Sequence, residues 1–349
     1  MKTKQSKIES FDPNAPGDEN SNLFGLPFTE SESEIIILPV PWEVTTSYGG
    51  GTSEGPMHVM QASKQVDLYH PDHPYLWQRG IFMLPLNPDL VKWNREAKDW
   101  AAHIIESWET GTGFSGDEEA MLEKVNGACA RMNETVRDAI LSLRRAGKCV
   151  GLLGGDHSTP LGYFQAYATE GIEFGILHID AHMDLRDAYE GFEFSHASIM
   201  FNALKLPAVK KLVQVGIRDF CLAEQQVVDA ELGRVEVFRS ETLHRKMFSG
   251  TTWDELCKEM VAKLPERVHI SFDIDGLESL YCPNTGTPVP GGLTYEQVLH
   301  LLHVFKSSGK VLLGFDLVEV APGDDDWNGN VGARLLYRLC SLMGKDTNS

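Results

Sequence analysis

The feature that most constrains the fold of this chain is a junction that occurs three times. At each one, an apolar run of five or six residues, typical of a buried strand, leads directly into a short polar segment rich in aspartate or histidine. In an α/β sheet, ligands bind at the edge where such strands end. The three junctions join residues 149–153 to 154–158, residues 174–179 to 180–184, and residues 268–272 to 273–276.

The polar residues at these junctions are of types that bind divalent metal ions. Side chains alternate along a strand, so Asp180, His182 and Asp184 could all point to one side. One such segment alone could instead be a polar strand end held by loop hydrogen bonds, but three together favour a metal site. They offer four carboxylates and two imidazoles, which suits two ions that share bridging carboxylates: His157, Asp180, His182, Asp184, Asp273 and Asp275.

Strands and helices alternate from residue 149 onward, which predicts an α/β fold with a mainly parallel sheet covered by helices on both faces. The length of 349 residues suits one large domain or two smaller ones, and a single three-layer αβα domain is the simpler prediction. The predicted strands are 34–38, 81–84, 149–153, 174–179, 212–215, 235–238, 268–272 and 311–315, and the predicted helices are 57–66, 90–108, 118–145, 159–169, 198–206, 222–232, 253–264, 294–307 and 329–342.

The first 30 residues differ in character from the rest. They are polar, contain prolines and lack apolar periodicity, so we expect residues 1–30 to be a mobile tail or an arm on a neighbouring subunit. Residues 31–349 would then form the folded domain that carries the predicted metal site. The glycine-rich loop at 42–52 follows the first strand, at the edge where ligands bind, although it could also be a flexible surface loop.

Composition limits the partners. A formal net charge of −19 argues against nucleic acid and anionic membranes and is compatible with a cationic substrate. The six cysteines show no C-x-x-C spacing, which indicates free thiols in a reducing compartment. The first 30 residues contain neither a signal-peptide core nor a membrane span, so we expect a cytoplasmic protein with no membrane partner.

The motifs and their order resemble those of the ureohydrolases, which include arginases, agmatinases and related guanidino hydrolases. The similarity covers roughly residues 34–343. It implies an arginase-like fold, two divalent ions per chain and assembly into a homotrimer or homohexamer. The segments that carry it are Gly-Gly-Asp-His-Ser at 154–158, Asp-Ala-His-Met-Asp at 180–184 and Ser-Phe-Asp-Ile-Asp at 271–275, with further matches at 195–198, 286–293 and 316–320.

The resemblance also implies roles for individual residues. Asp180 and Asp273 would bridge the ions; His157 and Asp184 would complete one site, and His182 and Asp275 the other. Oxygen-rich ligation with one imidazole per ion favours Mn²⁺ over zinc, and Ni²⁺ also accepts imidazole. Two such ions would lower the pKa of a shared water, which provides hydroxide to attack the guanidinium carbon. His196 would shuttle a proton to the leaving nitrogen, and Glu319 would bind the guanidinium.

The sequence specifies the substrate less tightly than it specifies the metal ligands. Arginases carry asparagine two residues beyond Asp184, where this chain has Arg186, so arginase is disfavoured. Residues 42–48 look more like guanidine hydrolases, which favours free guanidine in a small closed pocket. The alternative is an agmatinase that holds the distal ammonium of agmatine. A relative that has lost activity, or a one-metal deacetylase relative, would lack ligands that are all present here. The predicted contacts are walls from Trp42, Phe192 and Phe194, hydroxyls of Thr45 or Thr46 for guanidine, and carboxylates of Glu190 or Glu193 for agmatine.

Overall fold

Eight strands form one sheet in the computed structural model, which describes residues 3–18, 20–111 and 116–344. Every strand pairs with its neighbours in parallel, so the prediction of a mainly parallel sheet is confirmed. The order across the sheet is β2-β1-β3-β8-β7-β4-β5-β6. The strands are β1 (Ile35–Val40), β2 (Ile81–Met83), β3 (Cys149–Gly154), β4 (Phe174–Ile179), β5 (Val209–Ile217), β6 (Val235–Arg239), β7 (Arg267–Asp273) and β8 (Val311–Val318).

Eleven α-helices occur within the described residues. Most begin and end within a few residues of the predicted helices, and α4 stops before Gly147, whose φ of 76° is easy for glycine. The helices are α1 (Lys4–Ser10), α2 (Gly55–Ala62), α3 (Pro88–Thr110), α4 (Gly116–Arg145), α5 (Leu161–Thr169), α6 (Ile199–Leu204), α7 (Leu222–Ala230), α8 (Ser240–Phe248), α9 (Trp253–Ala262), α10 (Tyr295–Ser307) and α11 (Trp327–Leu342). None of these helices is both long and apolar enough to cross a membrane.

Helices cover both faces of the sheet, and this produces two hydrophobic cores. Strand β1 shows why, because successive side chains of a strand point to opposite faces. Ile35 and Ile37 pack in one core with α2, α8, α9, α10 and α11, whereas Ile36 and Leu38 pack in the other with α3, α4, α5 and α6. The arrangement is the predicted three-layer αβα domain.

Helix α8 was not predicted because its sequence carries little apolar signal. Ser240 and Leu243 are its buried residues, Met247 packs partly buried against the core, and the rest of Ser-Glu-Thr-Leu-His-Arg-Lys-Met-Phe are polar or exposed. Two apolar side chains one turn apart are too few to establish the 3.6-residue periodicity by which an amphipathic helix is recognised.

The N-terminal segment corrects the expectation of a mobile tail. Within the described residues it packs on its own chain: Phe24 and Phe28 are each 3% exposed, and the ring of Phe11 lies 5.2 Å from that of Trp77. The Lys4 ammonium donates to the Arg79 carbonyl at 2.7 Å. Isolated apolar residues, too few for a periodic pattern, therefore hold this segment on the body. The domain boundary at residue 31 stays a prediction.

Candidate metal centre

The strand order brings the three predicted junctions to one place. Strands β4 and β7 are neighbours, and Ile179 pairs with Phe272, so Asp180 and Asp273 leave the sheet side by side. Strand β3 is separated from β7 only by β8. The carboxyl ends of all these parallel strands meet at the same edge of the sheet, where His157 also lies.

The first group of predicted ligands surrounds the imidazole of His157. Its Nδ1 lies 3.0 Å from Asp180 Oδ2, 3.2 Å from Asp184 Oδ2 and 3.1 Å from Asp273 Oδ2. These side chains are almost completely buried, and His157 Nδ1 has no hydrogen-bond partner among the described residues. A bare nitrogen facing three carboxylate oxygens is a suitable donor set for a divalent cation.

The second group lies on the other side of Asp180. His182 Nδ1 is 3.1 Å from Asp275 Oδ2 and 3.5 Å from Asp180 Oδ1. The two oxygens of Asp180 thus face different histidines, which is the arrangement required of a bridging carboxylate. Asp273 reaches the first group through Oδ2, while its Oδ1 accepts the Asp275 backbone N–H at 2.8 Å.

Hydrogen bonds behind His157 set its tautomer. The Ser271 hydroxyl donates to Asp316 Oδ1 at 2.9 Å, so Ser271 Oγ is left to accept from His157 Nε2–H at 3.0 Å. The lone pair of Nδ1 then points at the carboxylates. Such outer partners orient metal ligands in proteins, and Asp316 acts here from outside the cluster.

His178 is also outside the cluster. The Gln214 amide donates to the Met183 carbonyl at 2.7 Å and to His178 Nδ1 at 2.9 Å. His178 Nε2–H therefore donates to Asp180 Oδ2, at 2.7 Å. His178 is thus a fully buried histidine whose two ring nitrogens are both hydrogen-bonded.

The charges of the cluster favour a cation. Burial, followed by the neighbouring carboxylates, raises the pKa of Asp184 and of Asp273 well above the usual range. Burial opposes the charged form of His182, but Asp275 and Asp180 outweigh it and raise the pKa of that imidazole to about 12. Groups that hold protons this strongly lie in an excess of negative charge. The predicted ligands therefore fit divalent cations in both position and charge.

The loop after Asp184 is strained. Asp184, Ala188 and Glu190 have φ values of 56°, 49° and 55°, in the left-handed region that residues other than glycine rarely adopt. Such strain persists where surrounding contacts impose it. Here the Asp184 carbonyl accepts the N–H groups of Met200 and Phe201 at 3.0 and 3.1 Å. The strained turn directs Asp184 back toward His157.

His196 lies beside the loop at 42–52, which follows strand β1. Its backbone N–H donates to Thr45 Oγ1 at 3.3 Å, and its Nδ1 lies 3.4 Å from the same oxygen. Burial, followed by the nearby His182 and His157, lowers the pKa of His196 to about 4. The imidazole is therefore neutral near pH 7 and able to accept a proton.

Glu319 has one satisfied oxygen and one free one. Its Oε1 accepts the His157 backbone N–H at 2.9 Å, whereas its Oε2 is buried with no hydrogen-bond partner among the described residues. Burial, followed by the charge of Asp156, raises the pKa of Glu319 well above its usual range. A cationic hydrogen-bond donor would satisfy this oxygen and stabilise its charge.

A cavity of about 280 Å³ adjoins the cluster. His157, His182, Asp184, Asp273, His196 and Glu319 all line it, so the structure brings six of the eight predicted metal-binding and catalytic residues to one surface. Sequence reasoning missed several lining residues. Asp219 and Phe220 follow strand β5, so the signal used at the other three strands could have found them. The missed lining residues include Tyr48, Arg186, Tyr189, Asp219, Phe220, Glu224, Thr287, Pro288 and Val289.

The structure corrects the predicted pocket walls. Trp42 and Phe192 are both 0% exposed and belong to the hydrophobic core, not to the cavity lining. Phe194 lines a separate groove with Asn133. Large aromatic side chains gain most from complete burial, and the core beneath the loops provides it.

The predicted polar contacts for the substrate also lie elsewhere. Glu193 is exposed, and neither it nor Glu190 is part of the cavity lining. Thr45 faces His196, and the Thr46 hydroxyl is buried without a hydrogen-bond partner among the described residues. Neither threonine lines the cavity, although their neighbours Ser47 and Tyr48 do.

In protein stripped of metal by a chelator, the free energy of unfolding is expected to rise as the pH falls from neutral toward about 5. In the metal-free protein, Asp184, Asp273 and Glu319 have pKa values raised above the unfolded values of about 4. The folded state therefore takes up protons first, and the repulsion is relieved as the pH falls through the raised values. Metal-loaded protein should show the opposite trend, because protons compete with the ions. Melting temperatures with and without chelator test this, and parallel trends would contradict it.

Comparison with known proteins agrees with this architecture. The structure of an agmatine ureohydrolase from Thermoplasma volcanium superposes with a TM-score of 0.68 at 22% identity, covering 96% of each chain. An arginase from Medicago truncatula superposes with a TM-score of 0.62 at 22% identity, covering 90% of this chain and 88% of that one. These likenesses confirm the predicted arginase-like fold.

Sequence comparison identifies the family as well as the fold. The chain is 31% identical over 317 residues to the N(1)-aminopropylagmatine ureohydrolase of Thermus thermophilus, covering 90% of this chain and 91% of that relative. It is 28% identical over 292 residues to an agmatinase of Bacillus anthracis, covering 83% and 84%. The family model described as "Arginase family" matches residues 33–341. The sequence and its fold thus lead to one conclusion: this chain belongs to the arginase family.

Proposed function

We propose that the protein hydrolyses a carbon–nitrogen bond of a guanidino compound and releases urea. The observation that carries this proposal is the free Oε2 of Glu319, buried at the cavity beside the acidic cluster. A guanidinium is planar, cationic and rich in N–H donors, so it matches a carboxylate with an unused acceptor. The excess negative charge of the cluster favours the same cation.

Membership of the arginase family implies a site for two divalent metal ions. His157, Asp180, Asp184 and Asp273 would hold one ion, and Asp180, Asp273, His182 and Asp275 the other. This donor set is rich in oxygen, which favours Mn²⁺, and Ni²⁺ is the alternative because imidazole also suits it. When bound, such a pair of ions supplies hydroxide as a nucleophile at neutral pH.

The chain's own residues perform the remaining tasks. Glu319 orients the guanidinium with its central carbon toward the cluster. His196, neutral near pH 7, would accept a proton from the attacking water at an imidazole nitrogen and pass it to the leaving nitrogen, which must be protonated before urea can separate. Thr45 keeps the His196 ring in place through its hydroxyl.

For the substrate, we propose an alkylguanidine with a distal amine, as in agmatine. A pocket closed around bare guanidine would need walls close to the cluster, and Trp42 and Phe192 do not provide them. The cavity instead reaches Asp219, whose carboxylate suits a second positive charge. The relatives named for agmatine and aminopropylagmatine support the same class.

Free guanidine is the second candidate, and one observation favours it. The Arg186 guanidinium lines the cavity, 4.7 Å from the centre of the Tyr189 ring. A positive charge there would repel the distal ammonium of agmatine. Glu224, whose Oε2 lies 3.8 Å from Arg186 Nε, offsets part of that charge.

Agmatine is expected to be hydrolysed with a kcat/KM at least about tenfold above that of free guanidine. Asp219→Asn should lower kcat/KM for agmatine about fivefold and leave guanidine unchanged, because Asp219 is exposed and an ion pair at an exposed site is worth at most about 1 kcal/mol. Urea release from guanidine, agmatine, arginine and guanidinobutyrate, with Mn²⁺- and Ni²⁺-loaded enzyme, measures this. Asp229→Asn, exposed on α7, is the matched control.

Two results would change the proposal. A higher kcat/KM for guanidine than for agmatine, together with an unchanged kcat/KM for agmatine in Asp219→Asn, would select the second candidate. Absence of urea release from every compound in the panel, in protein carrying two ions per chain, would contradict guanidino hydrolysis altogether.

A further inference from the structure

The loop at 42–52 connects β1 to the cavity. Ser47 and Tyr48 line the cavity, and Thr45 contacts His196. The start of the loop is fixed, because the Asp156 N–H donates to the Trp42 carbonyl at 2.8 Å. Gly155 allows this close approach, since a Cβ there would lie 1.9 Å from the same carbonyl oxygen. The position of the loop is therefore tied at one end to the segment that carries the metal ligand His157.

The other end is held by the carboxylate of Glu43. Its Oε2 accepts the backbone N–H groups of Gly51 at 2.9 Å and Ser53 at 3.0 Å. Its Oε1 forms an ion pair with Lys98 on α3, and its own N–H donates to Asn94 Oδ1 on the same helix. One side chain thus joins the beginning of the loop to its end and joins both to a helix.

Glu43 is an unusual residue for this task. Its side chain is 0% exposed, and a buried carboxylate is unfavourable unless it is paired and hydrogen-bonded. Burial opposes its ionisation, yet Lys98 and the Ser53 and Gly51 N–H groups outweigh this and keep the pKa of Glu43 below its usual range. A residue needed only for packing would be apolar here. Neither Glu43 nor Lys98 lines the cavity or belongs to the metal cluster.

We propose that Glu43, paired with Lys98, is a positioning residue that holds the loop at 42–52 against the substrate. The inference rests on the proposed function, since it assumes that the substrate occupies the cavity lined by Ser47 and Tyr48. Loosening the loop would move these two residues together with Thr45. A misplacement of about 1 Å can lower a rate by about 10²-fold even when the altered residue is remote from the chemistry.

Three variants separate positioning from packing. Glu43→Ala removes every contact of the carboxylate, and Lys98→Met leaves the buried charge unpaired. The double variant Glu43→Gln with Lys98→Met removes both charges but keeps an acceptor for the two backbone N–H groups. We expect Glu43→Ala and Lys98→Met to lower kcat/KM ten- to a hundredfold, mainly through KM, and the double variant to recover most of the loss. Lys92→Met is the matched control, since Lys92 forms an exposed ion pair with Glu96 on the same helix.

Two further measurements accompany the kinetics. Metal content per chain should equal that of the wild type, and amide hydrogen exchange at Gly51 and Ser53 should accelerate in Glu43→Ala and return to normal in the double variant. Unchanged KM and unchanged exchange in Lys98→Met would overturn the proposal, as would a lower melting temperature as the sole effect. If Glu43→Ala does not fold, the kinetics and amide exchange of Lys98→Met and of the double variant test the proposal without it. A wild type that hydrolyses no guanidino compound would contradict the proposed function instead, and amide exchange would then decide whether Glu43 holds the loop.

Discussion

Asp273→Asn is expected to abolish turnover while the fold is retained. The Asp273 carboxylate places Oδ2 3.1 Å from His157 Nδ1 and uses Oδ1 to accept the Asp275 N–H. Asparagine keeps that acceptor but loses the negative charge that a bridging ligand contributes. Since metal ions supply several kcal/mol of transition-state stabilisation, kcat should fall by about 10³-fold or more. Metal analysis should show fewer than two ions per chain, and circular dichroism an unchanged fold.

The matched control is Asp187→Asn, which makes the same chemical change on an exposed side chain three residues after Asp184. This control should keep both activity and metal content. A pure, fully active wild type that binds one ion per chain at saturation would show that the two-ion assignment is wrong. So would an Asp273→Asn variant with normal metal content and normal turnover.

His196→Ala is expected to lower kcat by about 10²-fold, the usual effect of losing a general acid or base. The His196 pKa of about 4 keeps the imidazole unprotonated throughout the neutral range, so its free nitrogen is open to a proton during the reaction. Substrate binding should change little, because the proposed function assigns the guanidinium to Glu319, so KM should stay within a few fold. Steady-state kinetics across pH, with and without added imidazole, measures the loss and its chemical rescue.

His300→Ala serves as the comparison, because His300 pairs with Asp254 at the surface, 3.0 Å away. It should leave kcat unchanged. If His196→Ala kept near-normal kcat at every pH, His196 would have no part in proton transfer, and the proton would have to travel by water or by another residue.

The sheet and the ligand cluster could be predicted from sequence for the same physical reason. Buried parallel strands are continuous apolar runs, which are visible in a single sequence. Polar residues that follow them must lie at one sheet edge, so Asp180 and Asp273 could be placed together before their register was known. The structure places His157 beside them at 3.0 and 3.1 Å.

The cavity walls could not be predicted in this way. Their positions depend on loop directions set by left-handed residues such as Ala188 and Glu190, for which no local pattern exists in the sequence. Trp42 follows strand β1, Phe192 follows Asp184 by eight residues, and both have the right chemistry for a wall, yet burial in the core is more favourable for both. The preference for free guanidine came from the resemblance of residues 42–48 to guanidine hydrolases and required such walls, and without them we favour an alkylguanidine.

The position of β8 also determines when the centre can assemble. This strand comes last along the chain but lies between β3 and β7, and its Asp316 orients His157 through Ser271. Contacts between segments so distant in sequence form slowly, because long loops must close first. On the ribosome, His157 and Asp273 cannot reach their final spacing before residues 311–318 have emerged. We therefore expect the nascent chain to carry its aspartates and histidines apart and to assemble the cluster only after strand β8 has been inserted.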